Sequence, residues 1–307
     1  MAMLSRWNMS NSPSHRDAVL FHPNIRRVVD GEEWLQSMSE LSFSVLGSGS
    51  SGNCSLLHLG SDCWVMIDAG FSMKQTKIRM KTHNVSIDMV SDILLTHLDR
   101  DHFNPAWCRT IARLAIRVHV HKHHVERATR TGIPTGCIVP FDDSIELHGT
   151  TVETIQFAHD SLGTSGFIFD TGEVRFGFAT DLGRVPPLLL DKYVDLDAIA
   201  FESNYDPTMQ LQSNRPQFLK DRIMGGEGHL SNEQSMMAIK HIAARSKLQH
   251  IVLLHLSRQC NTPSIIRAMY RDLLPELADS LTISQQDRCS NLLSVRNRRE
   301  EASSAKT

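Results

Sequence analysis

The residues best suited to chemistry lie in ILLTHLDRDHF, where an apolar run from Ile93 ends in His97-x-Asp99-x-Asp101-His102. Four side chains that can bind a metal fall within six residues, at the end of a predicted buried strand. Burying so many ionisable groups is costly unless a cation holds them, because a buried charge loses its hydration. The segment therefore predicts a metal site.

Three further residues of ligand type interrupt apolar runs at predicted strand ends. They are His159 after TVETIQFA, Asp181 after VRFGFAT and His255 within IVLLHLS. Each one alone is better explained by a hydrogen-bonded polar residue at a strand end. Together with the cluster that begins at His97, they favour ligands of a common metal site.

A glycine-rich stretch earlier in the chain raises a different possibility. VLGSGSSGNC has the spacing Gly47-x-Gly49-x-x-Gly52 of a dinucleotide-binding turn, and Asp68 follows at the distance of a ribose-binding acid. That fingerprint needs a helix after the third glycine. Only NCSLLHLGSD precedes the next run, CWVMIDAG, and SLLHLG alternates like a strand. We therefore predict a loop between two antiparallel strands, and no nucleotide cofactor.

The motifs are carried by a chain rich in strand patterns. Helical patterns are fewer, and they cover residues 73–83, a stretch after Pro105, residues 232–245 and a stretch after Pro263. Together they predict mixed α and β structure on two sheets rather than a strict βαβ repeat. The predicted strands are LSFSVLG, SLLHLG, CWVMIDAG, SDILLTH, IRVHVH, TVETIQFAH, SGFIFD, VRFGFATD, AIAFESN and HIVLLHLS.

Composition limits the possible functions. The 307 residues, 41% hydrophobic, suffice for one large domain or two small ones. The formal net charge of −2 lacks the basic excess of an obligate nucleic-acid binder, so a DNA contact needs a local patch. No run of about eighteen apolar residues and no signal-peptide core occurs. The six cysteines are scattered, so we expect a reduced, cytoplasmic protein with no membrane partner.

The order of the ligand-type residues resembles that of the metallo-β-lactamase superfamily. Its signature H-x-H-x-D-H is followed by a His, an Asp and a His at strand ends, and the match runs from about Leu41 to Ser294. Within the superfamily the chain is most similar to the YycJ/WalJ group of bacterial exonucleases. The motifs that carry this similarity are GSGSSGNC, ESNYDP, GHLSNEQS and HLSRQCNTP.

The resemblance implies an α/β (α+β) fold, the four-layer αβ/βα sandwich of two mixed sheets with helices outside. The metals would lie at one edge of the sandwich. We expect residues 1–38 to be a poorly ordered N-terminal extension, residues 39–295 the catalytic domain, and residues 296–307 a charged C-terminal tail.

The resemblance also implies two divalent metal ions, Zn²⁺ or Mn²⁺. Asp99 stands where the family usually has its second histidine, which makes the first site harder and more negative and favours Mn²⁺. The alternative is weak binding there, with one metal held firmly. The implied ligands are His97, Asp99 and His159 for the first ion, Asp101, His102 and His255 for the second, and Asp181 as the bridge.

The implied activity is that of a metal-dependent phosphodiesterase, a 5′-to-3′ exonuclease with DNA as its partner. A hydroxide bridging the two metals would be the nucleophile, and Asp101 would orient it. His229 precedes a predicted helix capped by Ser231 and is the candidate proton donor to the leaving oxygen. The candidate substrate-binding residues are Ser51, Asn53, Asn204 and Ser257.

Two other functions fit the same residues. A metal pair also polarises carbonyl groups, so the substrate could be a small ester, thioester or lactone. Alternatively, Asp99 marks a degenerate, metal-poor site in a binding or regulatory protein. The phosphate-binding character of the GHLSNEQS helix start favours the phosphodiester.

The histidines of RVHVHKHHVE are interpreted as structural. Alternation along a strand spaces them too evenly to converge on one ion. We predict an edge strand that runs into a helix, with no second metal site at His119, His121, His123 and His124.

Overall fold

The computed structural model describes residues 41–60, 64–159 and 162–297. The predicted extension, residues 1–38, and residues 298–307 of the predicted tail lie outside this range. None of the helices in the described part is long and apolar enough to cross a lipid bilayer.

The described strands form two seven-stranded mixed sheets. In chain order the strands are β1 (Leu41–Gly47), β2 (Cys54–Leu59), β3 (Trp64–Ile67), β4 (Val90–Leu94), β5 (Arg117–His121), β6 (Ile138–Phe141), β7 (Ser144–Leu147), β8 (Thr150–Phe157), β9 (Thr164–Asp170), β10 (Arg175–Ala179), β11 (Ala198–Glu202), β12 (His250–Leu254), β13 (Leu281–Ile283) and β14 (Leu293–Val295). The first sheet has the order β14-β1-β2-β3-β4-β5-β6 and the second has the order β13-β12-β11-β10-β9-β8-β7.

Helices follow the parallel strands and connect them. In chain order they are α1 (Met73–Met80), α2 (Cys108–Leu114), α3 (Val125–Thr131), α4 (Pro187–Lys192), α5 (Pro207–Gln212), α6 (Gln217–Met224), α7 (Asn232–Ala243) and α8 (Pro263–Leu273). Ser231 caps α7 with the capping box that its sequence predicts, and Pro263 occupies the first turn of α8.

Three buried apolar clusters show how the layers stack. The central cluster joins the two sheets, and the rings of Phe43 in β1 and Phe176 in β10 stack there with centroids 4.3 Å apart. A second cluster joins the first sheet to α2, which contributes Ile111. A third joins the second sheet to α7 and α8, with Ile239 and Tyr270. Helix, sheet, sheet and helix follow in that order, so the predicted four-layer sandwich is confirmed.

All ten predicted strands, the four predicted helical stretches and the helix predicted after β5, which is α3, are present. The glycine-rich stretch is a loop between antiparallel β1 and β2 as predicted. One strand position was wrong. We expected β5 at an edge, but β5 lies between β4 and β6. The missed strands and helices are β6, β7, β13, β14, α4, α5 and α6; they are short, and β6 includes Pro140.

Candidate metal centre

The seven predicted ligands lie just beyond the ends of four strands. Strands β10, β11 and β12 run parallel, so the residues after them, including Asp181 and His255, meet at one edge of the second sheet. The loop after β4 reaches the same edge from the first sheet, since its His102 contacts Asp181. The ligands follow β4 (His97, Asp99, Asp101 and His102), β8 (His159), β10 (Asp181) and β12 (His255).

These side chains meet in two groups. Within each group, one ligand atom from every residue lies within 4.8 Å of the others. Asp181 forms a further group of this kind with His97 of the first group and His102 of the second. All seven residues are thus brought together. The first group is His97, Asp99 and His159, and the second is Asp101, His102 and His255.

Asp181 uses both of its carboxylate oxygens in this cluster. Oδ2 lies 2.9 Å from Nε2 of His102, and Oδ1 lies 2.8 Å from Nδ1 of His255. The side chain is 2% exposed. A buried carboxylate between histidines of two different loops is placed to share cations with both.

Asp68, in the IDAG segment after β3, orients one of the histidines. Its Oδ2 lies 2.7 Å from Nδ1 of His102, and its Oδ1 accepts the backbone N–H of Thr96 at 2.9 Å. A carboxylate bound to one ring nitrogen fixes the histidine and leaves the other nitrogen as a ligand. Asp68 therefore supports the cluster, and its buried carboxylate is not available to a ribose.

The backbone at the site is strained in three places. Asp68, Asp181 and His255 have φ values of 61°, 56° and 56°. Such left-handed conformations cost on the order of 1 kcal/mol for residues other than glycine, and they persist where the surroundings fix them. Gly70 is required for another reason, because a Cβ there would lie 1.8 Å from the carbonyl oxygen of Asp101. The IDAG turn thus packs directly against the loop after β4, which carries Asp101.

The carboxylates make the cluster attractive to cations. Burial alone would lower the pKa of His102, but Asp181 and Asp68 outweigh it and raise the pKa well above its usual value. Burial would also lower the pKa of His255, but Asp181 in particular outweighs it and raises that pKa well above its usual value. Burial, together with the charge of His102, holds the pKa of His97 well below its usual value.

The donor atoms fit divalent metal ions. Imidazole nitrogens and carboxylate oxygens are ligands for Zn²⁺ and Mn²⁺. Both ring nitrogens of His255 are buried without a hydrogen bond to any described residue; the contact of Nδ1 with Asp181 has the distance of an ion pair but not hydrogen-bond geometry. Such orphaned atoms are costly unless a ligand satisfies them. His97, neutral because of its low pKa, offers a lone pair in the same way.

Asp99 is partly neutralised by an arginine that the sequence did not reveal. Nη2 of Arg127 in α3 lies 2.7 Å from Oδ1 of Asp99, and the carboxylate is 29% exposed. Its other oxygen, Oδ2, lies 3.9 Å from Nε2 of His97. We expected Asp99 to make the first site more negative, but Arg127 offsets part of that charge.

The predicted proton donor, His229, is held by a carboxylate that the sequence analysis missed. Oε1 of Glu202, the last residue of β11, lies 2.7 Å from Nδ1 of His229. Glu202 is buried, and its Oε2 accepts the backbone N–H of Leu182 at 2.6 Å. Glu202 ends the apolar run AIAFE, which is the same signal that pointed to His159, Asp181 and His255. Glu202 and His229 also form a possible ligand group with Asp181 and His255.

Two of the predicted substrate-binding residues line the cleft beside the cluster. The amide nitrogen of Asn204 donates to the carbonyl oxygen of His255 at 2.7 Å. The backbone N–H of Ser257 donates to the carbonyl oxygen of Asn204 at 2.8 Å. Asn204 and Ser257 are therefore tied to the ligand loop after β12, and both border the cleft.

The other two predicted substrate-binding residues lie in the glycine-rich loop. Asn53 is buried, and its amide nitrogen lies 3.0 Å from Nε2 of His102. Ser51 is exposed, and its backbone N–H donates to the side chain of Gln286 at 2.7 Å. In this loop it is Ser50, next to Ser51, that borders the cleft.

The cleft itself is open and has a volume of about 470 Å³. One wall is made by residues of α6 and the loop before α7, including Leu219, Ile223 and Gly228. Three arginines also line it: Arg215, Arg222 and Arg258. Arg215 and Arg222 thus place positive charge beside the cluster, although the whole chain is nearly neutral, whereas the charge of Arg258 is offset by Asp287.

The histidines of RVHVHKHHVE do not join a metal-ligand group among the described residues. Nε2 of His119 lies 2.7 Å from Asp92, and Nε2 of His124 lies 3.1 Å from the carbonyl oxygen of Gly163. The structural interpretation of these histidines agrees with these contacts.

Comparison with known proteins adds to this geometry. The family described as "Beta-lactamase superfamily domain" matches residues 63–255. The chain is 29% identical over 245 residues to the exodeoxyribonuclease YycJ of Bacillus anthracis, covering 77% of this chain and 90% of that protein. It is 29% identical over 238 residues to the exodeoxyribonuclease WalJ of Streptococcus pneumoniae, covering 73% of this chain and 85% of that protein.

A solved structure shows the same fold. The metallo-β-lactamase fold protein YhfI from Bacillus subtilis aligns with a TM-score of 0.60 at 12% sequence identity. The alignment covers 82% of this chain and 99% of that chain. At this identity the likeness concerns the arrangement of strands and helices.

Proposed function

Since this chain belongs to the metallo-β-lactamase superfamily and is a metal-dependent hydrolase of that fold, we propose that it cleaves phosphodiesters and degrades DNA as a 5′-to-3′ exonuclease. The observation that carries the proposal is the convergence of seven ligand-type residues beside the Glu202–His229 pair. The names of the two bacterial relatives support DNA as the substrate.

The residues divide into those that hold metal and those that act on the substrate. We assign the metal ions to the two groups that meet at Asp181. When bound, divalent ions supply Lewis-acid chemistry, activating water as a nucleophile and offsetting charge on the phosphate. Asp101, which is 24% exposed and lies 3.5 Å from Nε2 of His255, is placed to orient the attacking water.

His229 is placed to protonate the leaving oxygen. Glu202 holds Nδ1 of His229, which leaves Nε2 as the atom that transfers the proton. The buried carboxylate of Glu202 fixes the orientation of the ring, in the way that carboxylates orient catalytic histidines elsewhere. His229 is 21% exposed and borders the cleft, so a substrate in the cleft can reach it.

The cleft favours a phosphodiester over a small ester, thioester or lactone. A small neutral substrate is usually held in an enclosed, mostly apolar pocket. Here the space is open and bordered by Arg215 and Arg222, which suits an anionic polymer. The metal-poor binding protein has less support, because Asp99 lies in a ligand group with His97 and His159. We place the activity in the cytoplasm as part of this proposal.

The test is a panel of substrates with added Mn²⁺ or Zn²⁺. It contains end-labelled single- and double-stranded DNA, RNA, bis(p-nitrophenyl) phosphate, a thioester and a lactone. We expect hydrolysis of DNA, with a 5′ label released before a 3′ label, and loss of activity in Asp181→Ala. Hydrolysis of only the thioester or the lactone would overturn the proposal.

A further inference from the structure

Arg215 is held rigidly at the border of the cleft. It lies between α5 and α6, and its guanidinium makes three hydrogen bonds. Nε donates to Gln259 at 3.1 Å, Nη1 donates to Gln210 at 3.0 Å, and Nη2 donates to the hydroxyl of Ser257 at 3.2 Å. A guanidinium has five N–H groups, so two remain without an acceptor among the described residues.

The partners of Arg215 are all neutral. Among the described residues, no carboxylate lies within ion-pair distance of it. Arg258, in the same cleft, differs in this respect, because its Nη2 lies 2.6 Å from Oδ2 of Asp287. Arg215 thus presents a full positive charge in a fixed orientation, whereas the charge of Arg258 is offset.

Arg215 is also coupled to the metal centre through the chain. Ser257, which accepts its hydrogen bond, lies two residues after His255. Ser257 is tied through its backbone to Asn204, whose amide holds the carbonyl oxygen of His255. The position of the guanidinium is therefore fixed relative to the ligands.

We propose that Arg215 binds a phosphate of the DNA strand that flanks the phosphate being cleaved. This inference rests on the proposed function, because it needs a polymer with more than one phosphate. The pre-oriented N–H groups suit two phosphate oxygens, as arginine forks do in general. Leu219 and Ile223 border the same cleft and give the sugars and bases an apolar surface beside the charge. Ser257 acts here as a positioning residue for Arg215.

The test compares Arg215→Gln with the matched variant Arg258→Gln. Binding of a fluorescein-labelled, single-stranded phosphorothioate DNA is followed by anisotropy at several salt concentrations. We expect Arg215→Gln to weaken binding about tenfold and to lower the slope of log affinity against log salt by about one. Arg258→Gln should change affinity less than about twofold, because Asp287 already offsets its charge.

Bis(p-nitrophenyl) phosphate, which has no flanking phosphate, separates phosphate binding by Arg215 from a purely structural role. If Arg215 binds the flanking phosphate, then hydrolysis of this substrate, metal content and melting temperature should all be unchanged in Arg215→Gln. The inference is overturned if DNA binding and its salt slope stay at the wild-type level, or if Arg258→Gln has the same effect. It is also overturned if activity on bis(p-nitrophenyl) phosphate falls as much as DNA binding.

These outcomes separate the inference from the proposed function. If the wild-type protein hydrolyses no phosphodiester, the proposed function fails, while the binding comparison still decides the role of Arg215. If the wild-type protein hydrolyses DNA and Arg215→Gln binds DNA normally, only the inference fails.

Discussion

The guanidinium of Arg127 lies 2.7 Å from Oδ1 of Asp99, the residue that replaces the usual second histidine of the metal-binding motif. A histidine at this position would bring no negative charge, whereas aspartate brings one. Arg127 offsets that charge from α3, on the side of the carboxylate that does not face His97. The negative charge that Asp99 brings and the positive charge of Arg127 therefore partly cancel beside the first site.

Removing Arg127 should strengthen metal binding at the first site. In Arg127→Gln the full charge of Asp99 faces the cation and a nearby positive charge is lost, so we expect Mn²⁺ to bind about fivefold more tightly. Titration calorimetry measures this directly. Arg130→Gln is the control, because Arg130 lies in the same helix and its ion pair among the described residues is with the exposed Glu126. Weaker binding in Arg127→Gln would mean that Arg127 is needed to orient Asp99.

Restoring the histidine should change the choice of metal. In Asp99→His a nitrogen replaces a charged oxygen, so we expect the first site to shift from Mn²⁺ towards Zn²⁺ while activity is retained. The measurement is metal content by mass spectrometry after dialysis against equal concentrations of both ions. Loss of all activity would show that the aspartate has a role beyond holding a metal.

The sequence predicted the seven candidate ligands from two signals: four of them cluster after one buried strand, and His159, Asp181 and His255 each interrupt an apolar run at a strand end. The second signal was also available for Glu202, which ends AIAFE, but its partner His229 is 27 positions away and became visible only in the fold. The contact of Arg127 with Asp99 was missed for a similar reason. The two residues are 28 positions apart, and the basic sequence around Arg127 is typical of a solvent-exposed helix. The position of β5 was missed because its polar histidines suggested an edge, whereas in the structure His119 is buried inside the sheet and its Nε2 contacts Asp92.

The pair of Glu202 and His229 should act as one unit in catalysis. We expect Glu202→Gln and His229→Ala each to lower kcat on DNA about a hundredfold, the size typical of general acid catalysis. The double variant should be little worse than either single variant, because removing one member already disables the other. Glu233→Gln, at an exposed position in the first turn of α7, is the control. Additive losses in the double variant would contradict this pairing.

Metal binding should strengthen as the pH rises. The pKa values of His102 and His255 are raised, so below those values both rings carry protons that a metal ion must displace. Affinity for Mn²⁺ should therefore increase with pH until both rings are neutral, and binding should release protons. Titration calorimetry in two buffers of different ionisation enthalpy measures the release. An affinity that does not change with pH would show that these rings are not ligands.

The central claim is that seven residues from four loops hold two divalent ions at the edge of the sandwich. The most direct measurement is anomalous diffraction from crystals soaked in Mn²⁺. We expect two anomalous peaks, one among His97, Asp99 and His159 and one among Asp101, His102 and His255, with Asp181 in contact with both. The absence of a peak in this cluster, or peaks only at other surface sites, would contradict the claim.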